Sequence, residues 1–571
     1  MMRRARAAVA AVAGVLAVTL SGCVGIPAGS DPIPVTVVDD GSLVDPGGEI
    51  EALAPRAGQQ PDEVVRGFLA ASASNARSRP VARQYLSPQA AEDWTDDAGV
   101  TVIERNFAAV PTPDGAQVTL TGRIVGRVDA DGVYTSFDEE LRQVLSLVRV
   151  DGQWRIDNPP PGVILRVEDF RRAYVQYNLY FLDPTGTKVV PDPRFLLSGS
   201  VARANSLVEK LLDGPSPFLA PAVTTEFGPD VGLASNVQEV RDIEVNLTGL
   251  GERSPASLQR LSAQLIWTLK QLSITQLTLR SDGEPLTVPG AGAIQGSDNW
   301  QSYDPDFVPA DLVGHYIAEG AVRTVDGRPV PGPAGEGAYA LTSAGASAEQ
   351  TRLAGVSDSS TGSTLLIGDY GGVLAPVLTG RSFTPPTWVE PSQEVWTVRD
   401  GREVVRVPSG ALPQVVTTSD LGDRGPIRSL QMSRDGTRVA VVAGGAGVSS
   451  LYVARVARSG STVQLSGFMP LRTGLRDVVD VAWATATQLL FLATDPADGR
   501  SKPWLVSVDG AVLTAQPLDN LPDEATGIAA APGRPALASA GGTMYQLDDT
   551  TWTTLVRGEP FFPGTAPFYP G

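Results

Sequence analysis

The stretch RSLQMSRDGTRVAVVAG, residues Arg428 to Gly444, places a short apolar strand before Ser433-Arg-Asp-Gly436 and a second apolar strand after it. Asp and Gly at the centre of such a pair signal a tight reversal, so the stretch reads as a β-hairpin. Two later stretches align with it: VVDVAWATATQLLFLAT, from Val478 to Thr494, and ATGIAAAPGRPALASAG, from Ala525 to Gly541. The first two are followed by a third strand, SLYVARV and PWLVSVDG. Fainter copies precede them, TRLAGVSDSSTGSTLLIGD at Thr351 to Asp369 and PTWVEPSQEVWTVRDG at Pro386 to Gly401. Taking starts at Leu353, Thr387, Ser429, Asp480 and Thr526, the copies lie 34, 42, 51 and 46 residues apart. Propeller blades repeat every ~40–50 residues, so residues 300–571 are expected to form an all-β propeller of roughly six blades. A plain β-sandwich would not repeat its own sequence.

Upstream the periodicity changes. In residues 173–286, Val175, Tyr177, Leu179 and Phe181 alternate along a strand that ends at the turn Asp183 to Gly186. A helix then aligns Val201, Ala204, Leu207, Val208 and Leu211 and stops at Asp213-Gly-Pro215. A strand at Ile243 to Leu247 precedes a second helix, opened by Ser254-Pro255 and striped by Leu258, Leu261, Leu265, Leu269 and Leu272, and Ile274 to Leu279 closes the unit. The stripes read as core rather than as a cofactor box. The tyrosine-rich first strand VQYNLYFLD, the helix ARANSLVEKLLDGPSP and the late LTLRSDG resemble the GerMN domain of germination and envelope proteins. Residues 61–161 start with a helix presenting Val64, Val65, Phe68 and Leu69. A second helical stretch, Val81 to Trp94, restarts at Ser87-Pro88, and strands lead to a hairpin across Asp151-Gly152. Two helices before a curled antiparallel sheet resemble an NTF2-like α+β domain.

The N-terminus decides location. Three arginines in the first six residues precede fourteen uncharged, mostly apolar residues, Ala7 to Leu20, the arrangement of an export signal, and Leu20-Ser-Gly-Cys23 follows. This resembles a bacterial lipobox. It implies a signal peptide over residues 1–22, cleavage between Gly22 and Cys23, and Cys23 carrying S-diacylglycerol and an N-palmitoyl chain. An uncleaved anchor is the alternative, but Ser21, Gly22 and Pro27 interrupt the ~20 apolar residues that a span needs. Cys23 is the only cysteine, so lipidation would consume it and leave no thiol for a disulfide. Residues 23–60 have no helical or strand period and read as an acidic tether with a reach of ~30–36 Å.

Net charge is −18, and loss of Arg3, Arg4 and Arg6 with the signal takes it to −21. That balance excludes nucleic acid, whose phosphates need basic stripes, and disfavours flat adsorption on anionic lipid. His315 is the one histidine. A Ser-His-acid triad could use no other, no Gly-x-Ser-x-Gly elbow accompanies it, and a zinc site needs more His or Cys ligands. His315, in the strand-like VGHYIAE, reads as a half-buried structural residue. The run Gly290 to Gly296 lacks dinucleotide-loop spacing and reads as a linker, and Asp129-Ala-Asp131-Gly132 reads as a turn rather than a calcium loop. No catalytic, cofactor-binding or metal-ligating set emerges. Only paired carboxylates stay open, because glycosidase dyads have no fixed spacing.

Lipobox, NTF2-like segment, GerMN unit and propeller, in that order, resemble the LpqB family of actinobacterial lipoproteins over essentially the whole chain. The resemblance implies a non-enzymatic accessory protein at the extracytoplasmic face of the cell membrane. It also implies contact with the sensor domain of the MtrB histidine kinase and an influence on the MtrA response regulator and on the envelope. Cys23 is the one functional residue it carries across. The alternative from another class is an envelope hydrolase acting on wall glycan through two carboxylates.

Overall fold

The computed structural model describes residues 51–199, 202–239, 242–274, 276–389, 393–422, 424–555 and 564–571. Helix Pro61–Ser72 starts with proline in its first turn, where no amide donor is missed, and Gln60 N donates to Glu63 Oε2 at 2.8 Å. Its stripe Val64, Val65, Phe68 and Leu69 is buried on a sheet ordered Gln153–Ile156, Tyr134–Val150, Gln117–Val128, Val100–Ile103, Val163–Arg166. The expected hairpin is present: Val150 faces Gln153, and Asp151 and Gly152 take φ of 50° and 76°, as a two-residue reversal requires. The second helical stretch is two short helices, Pro80–Arg83 and Pro88–Asp93. Leu86 between them bridges to Ile156, and Ser87 Oγ then caps the restart by accepting from Ala90 N. From Glu51 the chain already lies on this domain: Tyr85 Oη donates to Leu53 O at 2.9 Å and Gly58 N to Gln153 Oε1 at 2.7 Å.

The second unit pairs Tyr174–Leu182 with Val189–Leu197 in a two-stranded sheet and runs Ile243–Thr248 parallel to Leu277–Ser281 in another. Helix Pro255–Leu269 joins them, capped by Ser254, whose side chain accepts from Ser257 N. Its polar face and the 3-10 turn Lys270–Leu272 that follows supply the hairpin edge with the partners that a neighbouring strand would give. Thr268 Oγ1 accepts from Tyr180 N at 3.1 Å, Gln264 Nε2 donates to Tyr180 O, and Gln271 both accepts from Asn178 N and donates to Asn178 O. Its other face buries Leu261, Leu265 and Leu269 completely, whereas Leu258 and Leu272 only flank the core. In helix Arg203–Asp213, Ala204, Leu207, Val208 and Leu211 are likewise at zero exposure; Val201 lies outside the described residues. The core continues past residue 286. Ile294–Gln295 adds a strand beside Leu277–Ser281, and buried Gln295 and Trp300 hydrogen-bond to each other, so the glycine run read as a linker leads into this domain's sheet.

Beyond it, six sheets among the described residues form the propeller. The first contains His315–Ala318, Ala321–Thr324 and the C-terminal Thr565–Phe568. The next five start at Leu341, Thr387, Ile427, Arg476 and Ala525. Their first strands, with Thr565–Phe568, contact one another in a closed ring. The strand at Arg352–Ser359, aligned above as a blade start, is the second of its blade. The true first strand, Leu341–Ala346 with sequence LTSAGA, has small residues where the others carry larger apolar ones, which hides it from an apolar pattern. The hairpin turn of the opening stretch is tied by its own side chains: Ser433 Oγ donates to Asp435 Oδ1 at 2.6 Å, and Thr437 N donates to the same oxygen at 2.9 Å. Ser507 and Asp509 repeat the device in the fifth blade.

Candidate functional site

Cys23 and Gly22, the predicted lipidation and cleavage residues, lie outside the described residues. Among the described residues no helix is long and apolar enough to cross a membrane, and no three His, Cys, Asp or Glu side chains gather as metal ligands. The strand-helix units and the propeller are joined by buried polar contacts.

Arg438, in the fourth blade, reaches three elements. Nη1 donates to Pro191 O of the GerMN-type hairpin at 3.2 Å, and Nη2 donates to Ala486 O of the fifth blade at 2.8 Å and faces Asp435 Oδ2 at 3.3 Å. Ala486 N donates in turn to Asp306 Oδ1 at 2.6 Å, in the connector leading to the first blade. Burial pushes the Asp306 carboxyl up to about 7, with the Ala486 amide and Arg434 opposing and Asp304 and Asp435 reinforcing. Arg455 donates to Pro217 O and Phe218 O at 3.2 and 3.0 Å, Ser136 Oγ of the N-terminal domain to Pro470 O at 2.9 Å, and Arg534 to Pro309 O and Ala310 O. These arginines end on backbone carbonyls far away in the chain, which no local pattern in the sequence can signal.

Between blades, charge is handled the same way. Asp480, one of the aligned repeat starts, accepts from Ser429 Oγ at 2.9 Å and from Ile528 N at 3.0 Å, tying three consecutive blades. Burial raises its pKa to about 6. Glu394 is nearly inaccessible. Burial disfavours its charge, but Arg458, Trp396 Nε1 and Arg406 outweigh that and hold it below the ordinary glutamate value. His315 is fully buried rather than half-buried, because the seam of the first two blades closes over it. Nε2 sits 2.8 Å from Tyr370 Oη and the ring stacks on Phe568 at 5.1 Å. Burial lowers its pKa to about 4, so the imidazole is neutral and structural. Asp129 Oδ1 accepts from Asp131 N and Val133 N, closing the turn expected there.

The class is therefore a multidomain assembly of an α+β domain, a GerMN-type unit and a six-sheet propeller. Family models match the same three parts: the lipoprotein LpqB N-terminal domain at residues 54–171, a sporulation and spore germination domain at 178–287, and the lipoprotein LpqB β-propeller domain at 320–570. Lipoprotein LpqB of Thermobifida fusca is 31% identical over 99% of both chains, and that of Mycolicibacterium smegmatis 31% identical over 98% of this chain and 99% of its own. TolB of Acinetobacter baumannii, at 9% identity, covers 59% of this chain and 98% of its own with a TM-score of 0.35. The chain belongs to the lipoprotein LpqB family.

Proposed function

We propose that this protein is a lipid-anchored accessory module of the cell envelope, held at the extracytoplasmic face of the membrane by diacylglycerol and palmitate on Cys23. It acts by binding rather than by catalysis, docking on the sensor domain of an MtrB-type histidine kinase and so modulating the MtrAB pair. The observation that carries the reading is the clamped body: Arg438, Arg455 and Ser136 join the two N-terminal domains to the propeller, and Arg534 ties down the connector between them, presenting one fixed surface to a partner. Acyl chains would confine that surface beside membrane-anchored ectodomains, where effective concentration favours even a weak interface. Against the glycan-hydrolase alternative, the carboxyls with raised pKa, Asp306, Asp480 and Asp509, sit in seams or turns and accept hydrogen bonds from backbone or serine donors.

Two measurements test it. Cys23→Ala should abolish incorporation of a fatty-acid probe, since no second thiol exists to accept the lipid; label retained by the mutant would refute the anchor. Full-length protein in neutral detergent should bind the kinase ectodomain, faster at low than at high ionic strength. No association at either, with in vivo photo-crosslinking that captures only glycan, would favour the hydrolase.

A further inference from the structure

A cleft of about 480 Å³ opens where the N-terminal domain meets the fourth and fifth blades. Its walls carry four arginines, Arg123 from the N-terminal sheet and Arg424, Arg472 and Arg476 from the propeller, against a single acid, Asp138. In a chain of net charge −18 this is a local reversal of sign. Arg123 is paired with Asp138 and lies 3.9 Å from Glu104, just outside the cleft. Arg424 lies over the Tyr452 ring, 4.9 Å from its centre, and donates to Phe468 O at 3.1 Å, which fixes its position without neutralising it. Arg472 and Arg476 are exposed and make no side-chain hydrogen bond or ion pair with any described residue. The floor between the domains is fixed, since Ser136 Oγ donates to Pro470 O at 2.9 Å and accepts from Arg472 N at 3.4 Å.

We propose that this cleft is a binding site for a phosphate-bearing anion. Two carboxylates, Asp138 and Glu104, against four guanidinium groups leave two positive charges uncompensated, which favours a ligand with at least two negative charges. Guanidinium groups present forked donors that match phosphate oxygens two at a time. The volume suits a phosphate ester or diphosphate with a small substituent. Because the arginines come from both domains, the bound anion would also bridge the N-terminal domain to the propeller. The phosphate could belong to a lipid headgroup or to a free solute, and the test separates the two.

Full-length protein in neutral detergent is titrated calorimetrically with inorganic pyrophosphate and, separately, with soluble dihexanoyl phosphatidic acid. Saturable binding of one or both is expected. Arg472→Glu with Arg476→Glu should weaken it at least about tenfold, and Arg472→Lys with Arg476→Lys, keeping charge but losing the fork, should fall between. Both side chains are exposed, so the melting temperature without ligand should not move. Pyrophosphate binding as tight as or tighter than the lipid identifies a free solute; preference for phosphatidic acid identifies a headgroup. Binding of neither probe, or binding that the charge-reversed variant retains in full, overturns the proposal.

Discussion

The GerMN-type unit and the propeller bury their apolar residues in opposite ways. The first has one continuous core, running from Val175 through the helix Pro255–Leu269 to Trp300. The propeller's is divided into separate clusters lying between neighbouring sheets, such as that of Ala440, Val481 and Phe491 between the fourth and fifth blades. A continuous core makes each residue answerable to the whole domain. A divided one makes each blade depend on two neighbours, and the ring then depends on its closure. Closure rests on Thr565–Phe568, where Phe568 pairs with His315 and stacks on its ring.

The sharpest break in that comparison is removal of residues 565–571. It strips the inner strand from the first blade and bares Tyr316 and Ile317, so calorimetry should show the propeller losing its cooperative transition while the GerMN-type unit keeps its own. A single transition lowered as a whole would mean that the two regions do not differ. Next in size, Arg438→Ala leaves the Asp435 carboxylate buried without its cation and cuts the link to Pro191, at a cost of about 3–5 kcal/mol, and should widen the gap between the two regions' denaturant transitions. Leu265→Ala, at a site of zero exposure, should cost about 2–5 kcal/mol and act on the GerMN-type transition alone.

Protonation probes the closure more gently. Folded His315 has a pKa near 4 against about 6.5 unfolded, so its contribution is complete above pH 6.5 and is lost as pH falls towards 4, on the order of 3 kcal/mol in all. His315→Phe should flatten that part of the stability–pH curve. Asp480 has the opposite sign. Its pKa is raised to about 6 in the folded state, so the protonated form is favoured there and stability declines as pH rises from about 4 through 6. Asp480→Asn should remove this smaller slope, read from urea midpoints at pH 4.5 and 7; an unchanged slope would place the titration elsewhere.

The order of parts and most elements within them are readable from local spacing alone. Helix stripes such as Leu261, Leu265 and Leu269 and hairpin turns such as Asp151-Gly152 are written in spacings of a few residues, and local sterics and burial are enough to read them. The family was legible for the same reason, as short motifs in a fixed order. Blade phase was not legible at Leu341–Ala346, because small residues there pack against neighbouring blades and leave no apolar signature. The seams were invisible too. The carbonyls that Arg438 and Arg455 reach lie 247 and 237 residues away in the chain. That Arg123 and Arg472 line one cleft, and that Phe568 seals His315 from water, follow from the packing of the folded chain. Distant hydrogen bonds, local charge balance and solvent exclusion depend on which surfaces meet, and no residue's immediate neighbours encode that.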